Sequence, residues 1–174
     1  MSASVDAGAP ESLGVPTFHA LFHEHFAQMT RLAHLLGADD AENVAQEAFV
    51  RLHQRWDVLD DHTHVAAYLR ATVVNLSRSR LRHLGVVRRA PQDRPEDERS
   101  AEVKAVANWE HQRIRAVLGK LSRRQREVLV LRYWLDLSTS AIAETLGVSP
   151  GTVKATTHHA MENLRKHLAE EEGE

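Results

Sequence analysis

From Thr139 to His158 the chain reads T-S-A-I-A-E-T-L-G-V-S-P-G-T-V-K-A-T-T-H, which has the form of two helical segments meeting at Leu146-Gly147-Val148. Gly147 can take the left-handed conformation that a tight helix-helix turn requires, and Ala143 is small where the two helices would cross. Val153, six residues beyond Gly147, is placed to pack back on the first helix. Ser149 suits an N-cap and Pro150 the first helical position, so a second helix starts there with its unpaired N–H groups pointing outward. The spacing therefore predicts a helix-turn-helix.

Helical geometry then sorts the side chains of the second helix. With Val153, Ala160 and Leu164 inward, Gly151, Ala155, His158 and Glu162 lie on the far side, flanked by Thr152, Lys154 and His159. Small Thr152 and Ala155 allow close approach to base edges and thymine methyls. Lys154 suits a phosphate, and His158 a base or phosphate. Ser149, Gly151, Thr152, Lys154, Ala155, His158 and His159 are thus the candidate duplex-DNA contacts.

Outward from this motif, the periodicity predicts helices throughout. Ser122, with Gln125 three residues later, forms a capping-box pattern before Val128, Leu129 and Leu131, and Ser138 is positioned to cap the helix that runs to Leu146. Trp109, Ile114, Val117 and Leu118 mark a helix before these. In the N-terminal half, Leu21, Phe22, Met29, Leu32, Ala33 and Leu36 recur at helical spacing, and Gly37 stands where a left-handed C-terminal cap is wanted. Asp39 precedes Glu42 by three, a second capping-box pattern, ahead of a stripe of Ala41, Val44, Ala45, Ala48, Leu52 and Trp56. After a polar loop from Asp57 to His64, a third helix is expected from about Val65 to His83. Val65, Leu69, Val73 and Leu76 would face inward, leaving Tyr68, Asn75, Arg78 and Arg82 to solvent or a ligand.

No segment alternates as a strand, so the expected class is all-α. The expected organisation is a disordered leader over 1–16, a domain over 17–83, a linker over 84–107 rich in charge and proline, a second domain over 108–169 and an acidic tail over 170–174.

The 174 residues are 43% hydrophobic and 26% charged, with a formal net charge of -2. That balance argues against a uniformly basic nucleic-acid coat, but the distribution is uneven. His62 to Gln92 contains six arginines and no acid, and His111 to Arg126 contains six basic residues and no acid. Two separated basic blocks suggest a polyanion contacted twice; solvated helix faces are the plainer explanation. Zero cysteines remove disulfide and thiolate chemistry. Twelve histidines invite a metal reading, with His19 and His23 one turn apart, but no H-E-x-x-H pattern, phosphate loop or nucleophile elbow accompanies them. No catalytic, metal or cofactor site is expected, and with no basic n-region or membrane span the expected location is cytoplasmic.

Both halves resemble the extracytoplasmic-function (ECF) class of bacterial RNA polymerase sigma factors. Leu121 to Lys154 resembles the domain that binds the -35 promoter element, a pattern that LuxR-type regulators largely share. Ala41 to Leu52 (A-E-N-V-A-Q-E-A-F-V-R-L) and Ala67 to Arg82 (A-Y-L-R-A-T-V-V-N-L-S-R-S-R-L-R) resemble the domain that binds the polymerase clamp and melts the -10 element. The resemblance implies that Gln46, Glu47 and Phe49 lie on or support the clamp-binding helix, and that Asn75, Arg78, Arg80 and Arg82 serve -10 DNA, with Trp56 or Tyr68 assisting if exposed. It implies core polymerase (clamp and flap) and promoter DNA as partners, admits an anti-sigma factor, and implies no membrane. The chain departs from the family where Asp is usual and Asn43 stands, and in the recognition helix at Thr156, Thr157, His159 and Met161. Thr157 faces the core by spacing, so its hydroxyl needs a partner such as a carbonyl one turn back. The competing function is a stand-alone helix-turn-helix regulator, which predicts a dimer on paired half-sites.

Overall fold

The computed structural model describes residues 17–58, 63–87 and 105–172. Among them the regular secondary structure is helical: α1 (Phe18–Leu35), α2 (Ala41–Gln54), α3 (Thr63–Val87), α4 (Ala105–Lys120), α5 (Arg123–Leu129), α6 (Thr139–Leu146) and α7 (Pro150–Glu172), with a 3-10 turn at Trp56–Val58. The expected leader, the middle of the linker and the last residues of the tail lie outside the described residues. Helix reaches into both ends of the segment 84–107 that was expected to be a linker, since α3 continues to Val87 and α4 begins at Ala105.

The helix ends follow local chemistry. The Thr17 hydroxyl accepts from the Ala20 amide to start α1. At its other end Gly37, at φ +99°, lets its own amide reach the His34 carbonyl and the Ala38 amide reach Ala33, satisfying carbonyls left open by the last turn. Gly147, at φ +66°, ends α6 in the same way, with the Val148 amide bonded to the Ala143 carbonyl. Ser122 and Gln125 form the full reciprocal capping box of α5, and Ser138 caps α6 through the Ala141 amide.

The capping box expected from Asp39 and Glu42 does not form. Asp40 is the residue before α2 and makes no side-chain cap. Asp39 instead pairs with Arg115 of α4. A guanidinium offers the carboxylate a charge-assisted bond stronger than one backbone amide, so the long-range partner prevails over the local one.

α1, α2 and α3 pack around Met29, Leu32, Val44, Ala48, Leu52, Leu69 and Val73, all at most 1% exposed. One end of this group is an aromatic cluster: the rings of Phe22 and Phe26 stack at 4.6 Å, Phe49 meets Phe22 at 4.9 Å, and Trp56 meets Phe18 edge-on at 5.5 Å. The C-terminal group, α5 to α7 with α4 alongside, closes over Val128, Leu131, Ile142, Val153 and Ala160. Val130–Trp134 extends α5 as a π-helical turn, with the Leu135 amide reaching back five residues to Val130. This wide turn carries Tyr133 and Trp134 to the surface, where they are 63% and 43% exposed.

Candidate nucleic-acid and polymerase interface

The helix-turn-helix forms as the spacing predicts. Ala143 and Val153 are buried where α6 and α7 meet, and Ala160 extends the inward stripe. The Ser149 hydroxyl accepts from the Thr152 amide at 3.1 Å and contacts the Thr152 hydroxyl at 2.9 Å. α7 therefore begins at an exposed, capped N-terminus. Gly151, Thr152, Lys154, Ala155, His158 and His159 are all exposed on one side of α7. His158 and His159 both lie near Glu162, at 3.5 and 3.4 Å. The Thr157 hydroxyl donates to the Val153 carbonyl at 2.7 Å, the one-turn-back partner that its half-buried position needed.

α2 presents Asn43, Gln46 and Val50 outward at helical spacing, and Val50 is 55% exposed. An apolar side chain so exposed beside two amides makes a dry spot in a polar face, a feature of protein-binding surfaces that Gln46 alone did not signal. Phe49 is 2% exposed, so it supports α2 from inside the aromatic cluster. Glu47 accepts from Arg51 at 2.7 Å and from Arg80 at 3.2 Å, and Arg80 also meets Asp40 at 3.0 Å. Arg80 thus ties the outer face of α3 to α2.

The arginines of α3 have separate fates. Arg82 is exposed, as is Asn75. Arg70 is half-buried; desolvation pulls its pKa below the ordinary value, countered by Glu144 of α6. Arg78 was expected to reach solvent, but its Nε and Nη2 donate to the Glu127 carboxylate of α5 at 2.6 and 2.8 Å. That hydrogen-bonded pair raises the Arg78 pKa above its usual value. Glu127 is only 3% exposed, and no local pattern had marked it. Tyr68 is half-buried, its hydroxyl near the Arg51 carbonyl at 3.5 Å, and Trp56 is half-buried against the core.

Arg115, Arg123, Arg124 and Arg126 of the second basic block are engaged within the chain. Arg115 pairs with Asp39, Arg123 and Arg124 face Glu127, and Arg126 donates to the carbonyls of Leu118, Leu36 and Gly119. Burial and nearby Arg115 lower the Arg126 pKa. No group of three or more metal-ligating side chains occurs among the described residues, and none of their helices is long and apolar enough to cross a membrane.

Comparison with known proteins agrees with this geometry. The Sigma-70 region 2 family matches residues 21–86, and the Sigma-70 region 4 family matches residues 111–164. The chain is 34% identical to the RNA polymerase sigma-E factor of Streptomyces avermitilis over 129 residues, 74% of this chain and 71% of the relative. It is 35% identical to the ECF RNA polymerase sigma factor SigL of Mycobacterium tuberculosis over 158 residues, 87% and 88% of the two chains. Its fold is similar to that of the sigma factor RpoE of Bartonella quintana, solved with the anti-sigma factor NepR, at a TM-score of 0.71 and 21% identity over 89% of this chain and 98% of that one. CnrH, solved with the cytosolic domain of CnrY, gives 0.67 at 24% identity, covering 87% of each chain. With region 2 on α1 to α3, region 4 on α4 to α7 and the helix-turn-helix at the end of the second, the chain belongs to the ECF class of RNA polymerase sigma factors.

Proposed function

We propose that this sigma factor divides promoter recognition between its two helical groups. The N-terminal group docks on core polymerase through the α2 face of Asn43, Gln46 and Val50, held in shape by Glu47 and Phe49. The outer face of α3, with Asn75, Arg78, Arg80 and Arg82, takes the displaced -10 strand, where guanidinium groups hold backbone phosphates while bases are unstacked. The C-terminal group grips duplex -35 DNA through Ser149, Gly151, Thr152, Lys154, Ala155, His158 and His159, Lys154 on phosphate and the small residues at base edges. The segment between α3 and α4 spans the polymerase.

Two modest affinities on one tether multiply through effective concentration, so neither group need bind promoter DNA tightly alone. The chain acts as an initiation factor, not as an enzyme, and it works on polymerase in the cytoplasm. An anti-sigma protein is a further partner, by analogy with RpoE of Bartonella quintana, a similar fold solved with the anti-sigma factor NepR.

The observation that carries this reading is the exposed, capped start of α7 on the same chain as a region 2 fold. A stand-alone regulator needs the first and has no use for the second. In vitro transcription with purified core polymerase tests it: run-off products from defined start sites should appear only when this protein is added. No transcripts and no co-elution with core enzyme, despite duplex binding, would favour the stand-alone regulator.

A further inference from the structure

Three arginines hydrogen-bond between the two helical groups, and Arg31 of α1 lies over the Trp134 ring at 4.8 Å. Arg78 of α3 forks onto Glu127 of α5, Arg115 of α4 meets Asp39 ahead of α2, and Arg126 of α5 donates to the Leu36 carbonyl at 3.1 Å. An open cleft of about 390 Å³ runs beside the same junction, lined in part by Leu35 of α1, Leu118 of α4 and the exposed Tyr133 and Trp134. Charged contacts therefore share this junction with the packing of α3 against α6 and of α1 against α4.

We propose that Glu127 is an internal stand-in for the promoter strand: it occupies Arg78 in the free protein and must release it before α3 can hold DNA. This rests on the assignment of Arg78 to the -10 strand. The chemistry of the exchange is direct, since the planar guanidinium fork that takes a carboxylate by two parallel bonds takes a phosphate equally well. Release also strands no buried charge. Glu127 keeps Arg124 at 3.3 Å and Arg123 at 4.0 Å on its own helix, and Arg78 keeps the Asn75 side-chain oxygen at 3.4 Å. A contact that leaves both partners satisfied on opening can serve as a switch, whereas breaking an isolated buried pair would be prohibitive. The masking is one-sided. In the closed form the candidate contacts of α7 stay exposed, so duplex binding through the helix-turn-helix needs no opening.

The absence of native cysteine makes the test simple. Spin labels on Ala27→Cys and Lys166→Cys, both exposed and one in each group, report the separation of the groups in the full-length chain without nucleic acid or polymerase. The parent should give one narrow distance distribution. Glu127→Gln, which keeps shape and removes charge, should add a longer, broader population. Its affinity for a fluorescein-labelled single-stranded thymidine oligomer should rise roughly tenfold, because apparent affinity scales with the open fraction. Its affinity for a random-sequence duplex should not change.

A broad distribution in the parent, or identical distributions in parent and variant, would overturn the clasp. Unchanged single-strand affinity despite opening would overturn the masking. If Glu127→Gln does not fold, Asp39→Asn, which severs the more exposed Arg115 contact, should loosen the same distribution, and its failure to do so counts against the proposal. The spin-label distances involve no promoter, so the clasp can fail while run-off transcription still identifies a sigma factor, and the reverse.

Discussion

The guanidinium of Arg126 lies against the turn at Gly37, where a Cβ would stand 2.5 Å from Nη1. The same Nη1 donates to the Leu36 carbonyl, so the glycine that ends α1 also makes room for the arginine that reaches it from α5. Gly37 is needed for its φ of +99°, and a Cβ there would push the end of the Arg126 side chain from the Leu36 carbonyl.

Gly37→Ala and Gly147→Ala should therefore differ. A Cβ on Gly147, at φ +66°, meets nothing within 4 Å, leaving only the left-handed backbone cost of about 1 kcal/mol. Gly37→Ala adds displacement of the Arg126 guanidinium and should cost about 2–3 kcal/mol. Urea unfolding of the two variants checks the order; equal losses would mean that Arg126 moves aside freely.

Lys154→Ala should weaken duplex binding and flatten its salt dependence by close to one unit of log-log slope, as expected for one phosphate contact. Anisotropy titrations across a range of salt concentrations measure this. A parallel, merely shifted line would place Lys154 away from the phosphates.

Arg82→Glu should impair promoter opening by about tenfold or more, the rate consequence of roughly 1.4 kcal/mol, while leaving co-elution with core polymerase intact. Arg82 is exposed and makes no ion pair among the described residues, so its effect is separable from the internal pairing of Arg78. Permanganate reactivity of promoter thymines reads the opening directly, and full reactivity would remove Arg82 from the -10 face.

Ser122→Ala should cost about 1 kcal/mol, because its hydroxyl caps the Gln125 amide at the start of a helix of only 7 residues. Thermal unfolding with and without the substitution checks it. A negligible loss would show that packing alone holds α5.

Local chemistry was legible along the chain because caps and turns depend on residues three to six apart. Gly37 and Gly147 as left-handed stops, the Ser122 box, the Ser138 and Ser149 caps and the inward set Ala143, Val153 and Ala160 all follow from spacing. So does the exposed face of α7, since one helix period and one packed stripe settle which side remains. Charge partners were not legible in the same way. Asp39 looked like a cap and Arg78 like a solvent-facing group, yet each is held by a residue more than forty positions away, Arg115 and Glu127 respectively. Long charged side chains reach across whatever surface folding brings near, and a carboxylate satisfied by a guanidinium has less need of a backbone amide. Helix, turn and the exposed face of α7 were thus settled by neighbours in sequence, whereas the pairing of Arg78 was settled only when the two helical groups came together.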